Sequence, residues 1–338
     1  IKPIFFIIQF YFQLIMKNYR LLSQDLRDFR KEFNLNSTNT LTLTSPKIIK
    51  NEKISKAPTA ILYLKPSKAA CSSAGSCMAM CLNTAGNPAY LKGKLACRSR
   101  RDLALRTKKD LFLRNLVIEL FKFYSKNRNF DNVSARLNGV SDHNWMTIEI
   151  NLTDYDSNYI LENFDIAIPA IKYRNIFELF NTAFDFTNLK SVSKIFRFYD
   201  YSKHVHLDFE YAKKLGYHLT LSAGSKYNTL ETCIRHNLNY AGVFNIKRNA
   251  PIPKFVSING RKFPTIDGDL TDWRIGDNNN TTHVIVLRVK RTPNQTDAMR
   301  KAFCIDELEK IRIATELKRE YEAKISQGIF ARPTLIPA

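Results

Sequence analysis

The fold is decided by residues 110–142, which read DLFLRNLVIELFKFY at 110–124 and, after a short polar break, VSARLNGVSD at 133–142. In the first stretch Leu111, Leu113, Leu116, Val117, Leu120, Phe121 and Tyr124 recur at the spacing that gathers apolar side chains on one face of a helix. The second stretch is a short apolar run ended by Asn138-Gly139, a pair that breaks a strand and turns the chain. A helix followed at once by such a strand predicts one step of a βα alternation.

Working outward, the same alternation recurs. Downstream, 171–180 reads as helix, 195–199 as strand, 209–215 as helix, 217–221 as strand and 230–238 as helix. Segments 240–246 and 283–289 read as further strands, separated by a stretch rich in Pro and Asp around 251–276. Upstream, 61–64 is a short apolar run closed by Pro66, as expected of a strand that a proline stops. Strands alternating with helices predict an α/β protein with a mainly parallel sheet. A partly open (β/α) barrel is the first expectation, because Ser141, Asp142, Asp200, Ser222, Asp267 and Asp269 all fall at strand ends. A doubly wound open sheet predicts the same gathering.

The outer parts divide the chain. Residues 1–56 read as an N-terminal extension, 57–292 as the α/β domain with its cysteine loop, and 293–338 as a C-terminal helix (297–327) and tail. Segment 4–16 is apolar but shorter than the roughly 20 residues a bilayer span needs. No small-residue cleavage site follows it, so 1–15 reads as translated upstream sequence before Met16, in a cytoplasmic protein with no membrane partner.

With 44% hydrophobic and 25% charged residues, the 338-residue chain can bury a core and lacks the composition of a disordered protein. Its 52 Lys and Arg against 31 Asp and Glu leave a net charge of +21, which draws polyanions and makes nucleic acid the expected partner class. The other reading of this charge is a lysine-rich composition with no ligand behind it. The sequence has no Gly-x-Ser-x-Gly elbow, no Walker loop and no dinucleotide fingerprint, which argues against those enzyme classes.

Six cysteines are too few for a disulfide scaffold in a chain of this length. Cys233 and Cys304 stand alone and read as small buried residues. Cys71, Cys77 and Cys81 form Cys-x5-Cys-x3-Cys in a loop rich in Ser, Ala and Gly, where small residues let the backbone bring thiolates together. Converging thiolates select an iron–sulfur cluster or zinc. Three would hold a [4Fe-4S] cluster with one iron open to S-adenosylmethionine; Cys97 as a fourth ligand would close a structural zinc site. A three-cysteine loop directly after the first strand resembles the layout of radical S-adenosylmethionine enzymes. The spacing departs from their Cys-x3-Cys-x2-Cys, and no Gly-Gly-Glu follows the second strand.

Among the strand-end groups, Asp142, Asp200, Lys203, Ser222 and Asp269 are the candidates for acid–base work, and Asn138, Gly139 and Ser222 for holding a cofactor. His204 and Lys226 adjoin them. Each of these residues could equally be a turn former. Arg98, Arg100, Arg101, Arg106, Lys108 and Lys109 could track a phosphate backbone or form a solvated helix start. Asp267, Asp269 and Asp272 lack the order of a calcium loop.

Several motifs in series resemble the phage gene product 88 family: TAILYL at 59–64, CMAMCLNTAG at 77–86, RLNG at 136–139 with Ser141-Asp142, FYDYSK at 198–203, YHLTLS at 217–222 and IDGD at 266–269. The resemblance implies a phage or mobile-element origin and an intracellular setting, and no established activity. In the family the first two cysteines stand one residue further apart and Cys97 has no counterpart, which leans toward a three-cysteine site. The expectation is an iron–sulfur enzyme of radical type acting on a nucleic acid or nucleotide. The alternative is a non-enzymatic nucleic-acid-binding protein with zinc on Cys71, Cys77, Cys81 and Cys97.

Overall fold

A computed structural model describes residues 20–35, 40–85, 88–186, 195–247, 250–277, 280–290, 296, 298–299 and 303–305. The expected upstream segment 1–15 and almost all of the expected helix 297–327 lie outside the described residues. The helices are α1 (Gln24–Phe33), α2 (Pro46–Ser55), α3 (Leu91–Thr107), α4 (Lys109–Asn127), α5 (Asp154–Phe164), α6 (Ile176–Phe186), α7 (Phe209–Lys214) and α8 (Thr229–His236). The strands are β1 (Thr59–Ile61), β2 (Asn132–Arg136), β3 (Ile150–Asn151), β4 (Lys172–Tyr173), β5 (Ile195–Ser202), β6 (Tyr217–Ser222), β7 (Asn239–Phe244), β8 (Phe255–Ile258), β9 (Arg261–Asp267) and β10 (Val284–Arg288).

Eight strands form one sheet in the order β1-β2-β5-β6-β7-β10-β9-β8, and β3 pairs with β4 apart from it. Every pair in the large sheet is parallel except the β8–β9 hairpin. The expected α/β fold with a mainly parallel sheet is therefore present, but the barrel-like closure is not: β1 and β8 are separate edges. The hairpin explains why. The stretch expected to be an irregular connection carries Asn259-Gly260 at positive φ (52° and 77°), the pair a two-residue hairpin turn requires, and its strands extend the sheet beyond β10.

The two faces of the sheet are chemically different because side chains alternate along a strand. On β5, Phe196 and Phe198 meet α6, where Phe180 lies 4.9 Å from Phe196 and Phe177 lies 5.1 Å from Phe198 between ring centroids. Tyr199 and Tyr201 alternate with them, and the Tyr201 ring carries the Arg136 guanidinium at 4.8 Å. That second face is closed by α2 through Asn51. Its amide donates to Thr59 Oγ1 and Tyr199 Oη (3.1 Å each) and accepts from the Asp272 and Trp273 amides (2.8 and 3.1 Å).

Helix α4 is buried on all sides from Phe112 to Phe121, not along one stripe. Its polar residues are covered by a second helical layer, each with a partner: Arg114 with Asp156 of α5 (2.7 Å), Asn115 with Arg30 of α1 (2.6 Å), and Glu119 again with Arg30. Residues read as an extension thus belong to the core, with Leu26, Phe29, Phe33 and Leu35 buried. No helix among the described residues is long and apolar enough to cross a membrane.

Candidate functional site

The cysteine loop leaves the carboxyl end of β1 and is stitched to the end of β6. The Gly75 and Cys77 amides donate to Gly224 O (2.8 and 3.3 Å), and the Lys226 amide and Ser225 Oγ donate to Ser73 O (3.1 and 2.9 Å). Gly224 sits at φ 77°, and a Cβ there would stand 3.0 Å from the Cys77 Cβ, so the loop approaches the strand end only because that residue has no side chain. From its other side the loop is held by Arg98, whose Nη1 donates to Asn83 O and Oδ1 (2.8 and 2.9 Å) and whose guanidinium lies over Tyr63 at 5.0 Å. Arg98 and Arg101 are both buried, so a third of the basic run is closed to a phosphate backbone.

Between this loop and the strand ends lies a cavity of about 210 Å³. Cys71, Cys77 and Cys81 line it, together with Asn138, Gly139, Ser141 and Asp142 after β2, Lys203 after β5 and Ser222 of β6. Met78, Ala223, Val243, Leu287 and Phe303 give it apolar walls, and Lys47, Arg136, Arg288 and Lys290 a basic one. Eight of the ten residues singled out from sequence for chemistry share this cavity. The other two stand behind it. Asp200 is fully buried and accepts from the Leu137 and Asn138 amides (3.2 and 2.7 Å) and Tyr217 Oη (3.0 Å), so it fixes the backbone from which Asn138 projects. Asp269 accepts from the Arg288 amide (2.9 Å) and Nη1 (3.3 Å).

Asp142 is held by the Lys203 amide, which donates to Oδ2 at 2.9 Å, while its Oδ1 is buried without a hydrogen-bond partner. His204 Nε2 donates to Asp142 O (2.8 Å) and Nδ1 meets Ser73 Oγ (2.9 Å), so this ring ties the β2 loop to the cysteine loop. Burial pushes the Cys71 thiol up, and the Asp142 carboxylate adds to the effect. Burial does the same to Cys77, opposed by the Lys203 ammonium. Burial drives Asp200 up to about 7, against the pull of Arg136 and its three donors. Cys71, Cys77 and Cys81 form no disulfide and are half-buried, and Cys97, also half-buried, stands on α3, outside the cavity walls. Among the described residues no group of three or more Cys, His, Asp and Glu is assembled in a way that could hold a metal ion.

The basic wall was missed in sequence, and the acids beside it were read without their cationic partners. Arg136 Nη1 pairs with Asp272 Oδ2 at 2.6 Å, Lys47 Nζ with Asp272 Oδ1 at 2.9 Å, and Arg288 makes a fork with Asp267 at 2.8 and 3.0 Å. The acids at 267, 269 and 272 are thus the counter-charges of cations, which answers the calcium reading. Arg136 could have been found as a charge placed inside the 133–137 strand.

The gene product 88 family model matches residues 20–307, from the start of the described N-terminal helical layer to beyond the last strand. No curated protein and no solved structure matches the chain. The match spans the cysteine loop, all ten strands and every residue of the cavity, and the chain belongs to the gene product 88 family.

Proposed function

We propose that this protein is an iron–sulfur enzyme of radical type that works in this cavity on a nucleotide or an extruded base of a nucleic acid, with Cys71, Cys77 and Cys81 as cluster ligands. The observation that supports it is the convergence of three free thiols, on the loop after the first strand, with the polar ends of β2, β5 and β6 on one cavity. The six parallel strands β1, β2, β5, β6, β7 and β10 also follow one another across the sheet in chain order, as in an opened (β/α) barrel.

The donor type, three sulfurs, suits a soft metal group, and Ser73, Gly75 and Cys77 are fixed by backbone bonds to the end of β6. The three sulfurs are not drawn together as a metal site in this structure, so they would have to be gathered as a cluster binds. A [4Fe-4S] cluster held by three thiolates would supply an open iron for S-adenosylmethionine and an electron for radical chemistry. The chain's own residues do the rest. Lys203 faces Cys71 and Cys77 and favours their thiolates, while burial opposes ionisation, so ligand binding should release protons. Asp142 and Ser222 would contact a substrate, and Asn138 and Gly139 line the cavity from buried positions, the Asn138 side-chain amide bonded to His143 and Trp145. Asp200 and Asp269 act as positioning residues. A cavity of about 210 Å³ that opens to solvent admits a small molecule or a flipped base and is too small for a duplex. The zinc alternative loses support because Cys97 is not on the cavity wall and two arginines of the basic run are buried.

Anaerobic purification with iron, zinc, sulfide and visible absorption measured per chain tests the proposal. The expected result is a brown protein with about four irons and four sulfides, the content of a cubane cluster. Substituting Cys71, Cys77 and Cys81 together by Ala should abolish the colour, while Cys97→Ser should leave it. A colourless protein with zinc that is lost in Cys97→Ser would sink the proposal and favour the zinc reading.

A further inference from the structure

Lys47, Arg136, Arg288 and Lys290 line the cavity, and apart from Asp272 their counter-ions, Asp267, Asp269 and Asp200 at 3.8 Å from Arg136, are not among its lining residues. Asp267 and Asp269 stand behind the arginine they hold. Asp272 is shared, with Arg136 at 2.6 Å and Lys47 at 2.9 Å. The carboxylate nearest Lys290 Nζ is Asp269 Oδ1 at 3.9 Å, already engaged by Arg288 through its other oxygen. Lys47 therefore sits in the field of two further cations, Arg136 and Lys290. Like charges crowded on one cavity wall are costly in the empty protein, and an anion entering the cavity relieves that cost.

We infer that Lys47, Arg136, Arg288 and Lys290 form an oxyanion subsite that receives a phosphate or carboxylate group of a small-molecule substrate. The two arginines are locked by Asp272 and Asp267, so they present a fixed positive surface with little conformational freedom to lose. The two lysines are the adjustable members, with side chains 39% and 50% exposed. The apolar walls at Val243, Leu287 and Phe303 then take the uncharged body of the same molecule. This names the substrate class of the site proposed above, yet binding of the anion requires no cluster.

The test is calorimetric titration of the full chain with inorganic phosphate and, separately, with glutarate, using glycerol as the uncharged control. Saturable binding of phosphate alone identifies a phosphate-bearing substrate, of glutarate alone a carboxylate, and of both the shared oxyanion chemistry; each outcome supports the subsite. Lys47→Ala and Lys290→Ala should each weaken binding roughly tenfold or more, as expected when a charge-assisted contact is lost. Lys172→Ala, at an exposed lysine paired with Glu149, should leave it unchanged. Absence of saturable binding by either anion overturns the inference, and so does an equal loss in Lys172→Ala, which would make the binding a property of overall charge. The variant lacking Cys71, Cys77 and Cys81 separates the two proposals: it should lose iron and keep anion affinity. A colourless wild type that binds phosphate overturns the cluster alone, and a brown one that binds neither anion overturns the subsite alone.

Discussion

Asp200 shows how a residue chosen for chemistry can be held by structure. Its carboxyl is fully buried and burial drives it up to about 7, from an ordinary value of 3.8 that the unfolded chain keeps. Between those two values the folded protein retains a proton that the unfolded chain has released, so the stability this group contributes is greatest below about 4 and falls as pH rises toward 7. Asp277, pushed up to about 6 by burial, contributes in the same direction. Replacing Asp200 by Asn should therefore reduce, and not abolish, the decline of the urea midpoint between about pH 5 and pH 7.5. A variant whose midpoint falls as steeply as that of wild type would place the titration on another group. At this scale the strand-end rule located Asn138, Asp142, Lys203 and Ser222, because polar residues after apolar strands must either turn or face a site. It was blind to Asn51 and Arg136: a polar residue in a polar segment, or inside a strand, announces its burial only through partners far away in the chain.

The same limit governs the elements. Strands β5, β6 and β7 were legible because apolar residues run between turn formers, and their ends moved by only a few residues. Helix α6 begins later than the periodicity suggested, since Asn175 Oδ1 accepts from the Glu178 amide (2.9 Å) and caps the helix, while Tyr173 pairs in β4 with Ile150. Helix α5 was missed although Thr153 and Asp156 form a capping box at its start. These two residues also differ in a way that can be measured. The Thr153 hydroxyl accepts from the Asp156 amide and donates to its Oδ2 at 2.6 Å but does not touch Arg114, so Thr153→Ala should cost about 1 kcal/mol. Asp156 additionally pairs through both oxygens with Arg114 at 2.7 and 3.1 Å, inside the two-layer helical face. Asp25 reaches the same guanidinium at 2.6 Å from a half-exposed position. Asp156→Ala leaves a buried guanidinium short of its main partner and should cost about 3 kcal/mol or more. Urea midpoints of the two variants compare them directly, and equal losses would mean that Asp25 alone satisfies Arg114.

At the scale of the whole molecule, the alternation of strands and helices was enough for an α/β sheet with its chemistry at the carboxyl ends. Closure was not legible, because an Asn-Gly hairpin adds two strands past β10 and keeps the edges apart. Nor was the role of the N-terminal segment, whose polar composition hides an N1 proline with a Ser45 cap on α2 and an apolar face on α1. That segment supplies a layer the rest of the chain needs. Leu26, Phe29, Phe33 and Leu35 are buried against a helix, α4, whose polar residues would otherwise face water beside an open apolar surface. At about 1.5–3 kcal/mol for each side chain buried, their loss approaches the whole net stability of a typical domain. Removing Asn51 as well would leave Thr59, Tyr199 and the amides of Asp272 and Trp273 without the group that joins them, and with it the frame that presents Asp272 to Arg136 and Lys47. A chain that begins at residue 57 should therefore show no cooperative melting transition by near-ultraviolet dichroism and should lose saturable anion binding. A truncated protein that melts cooperatively near the wild-type temperature would instead make residues 20–56 an appendage, and the second helical layer dispensable.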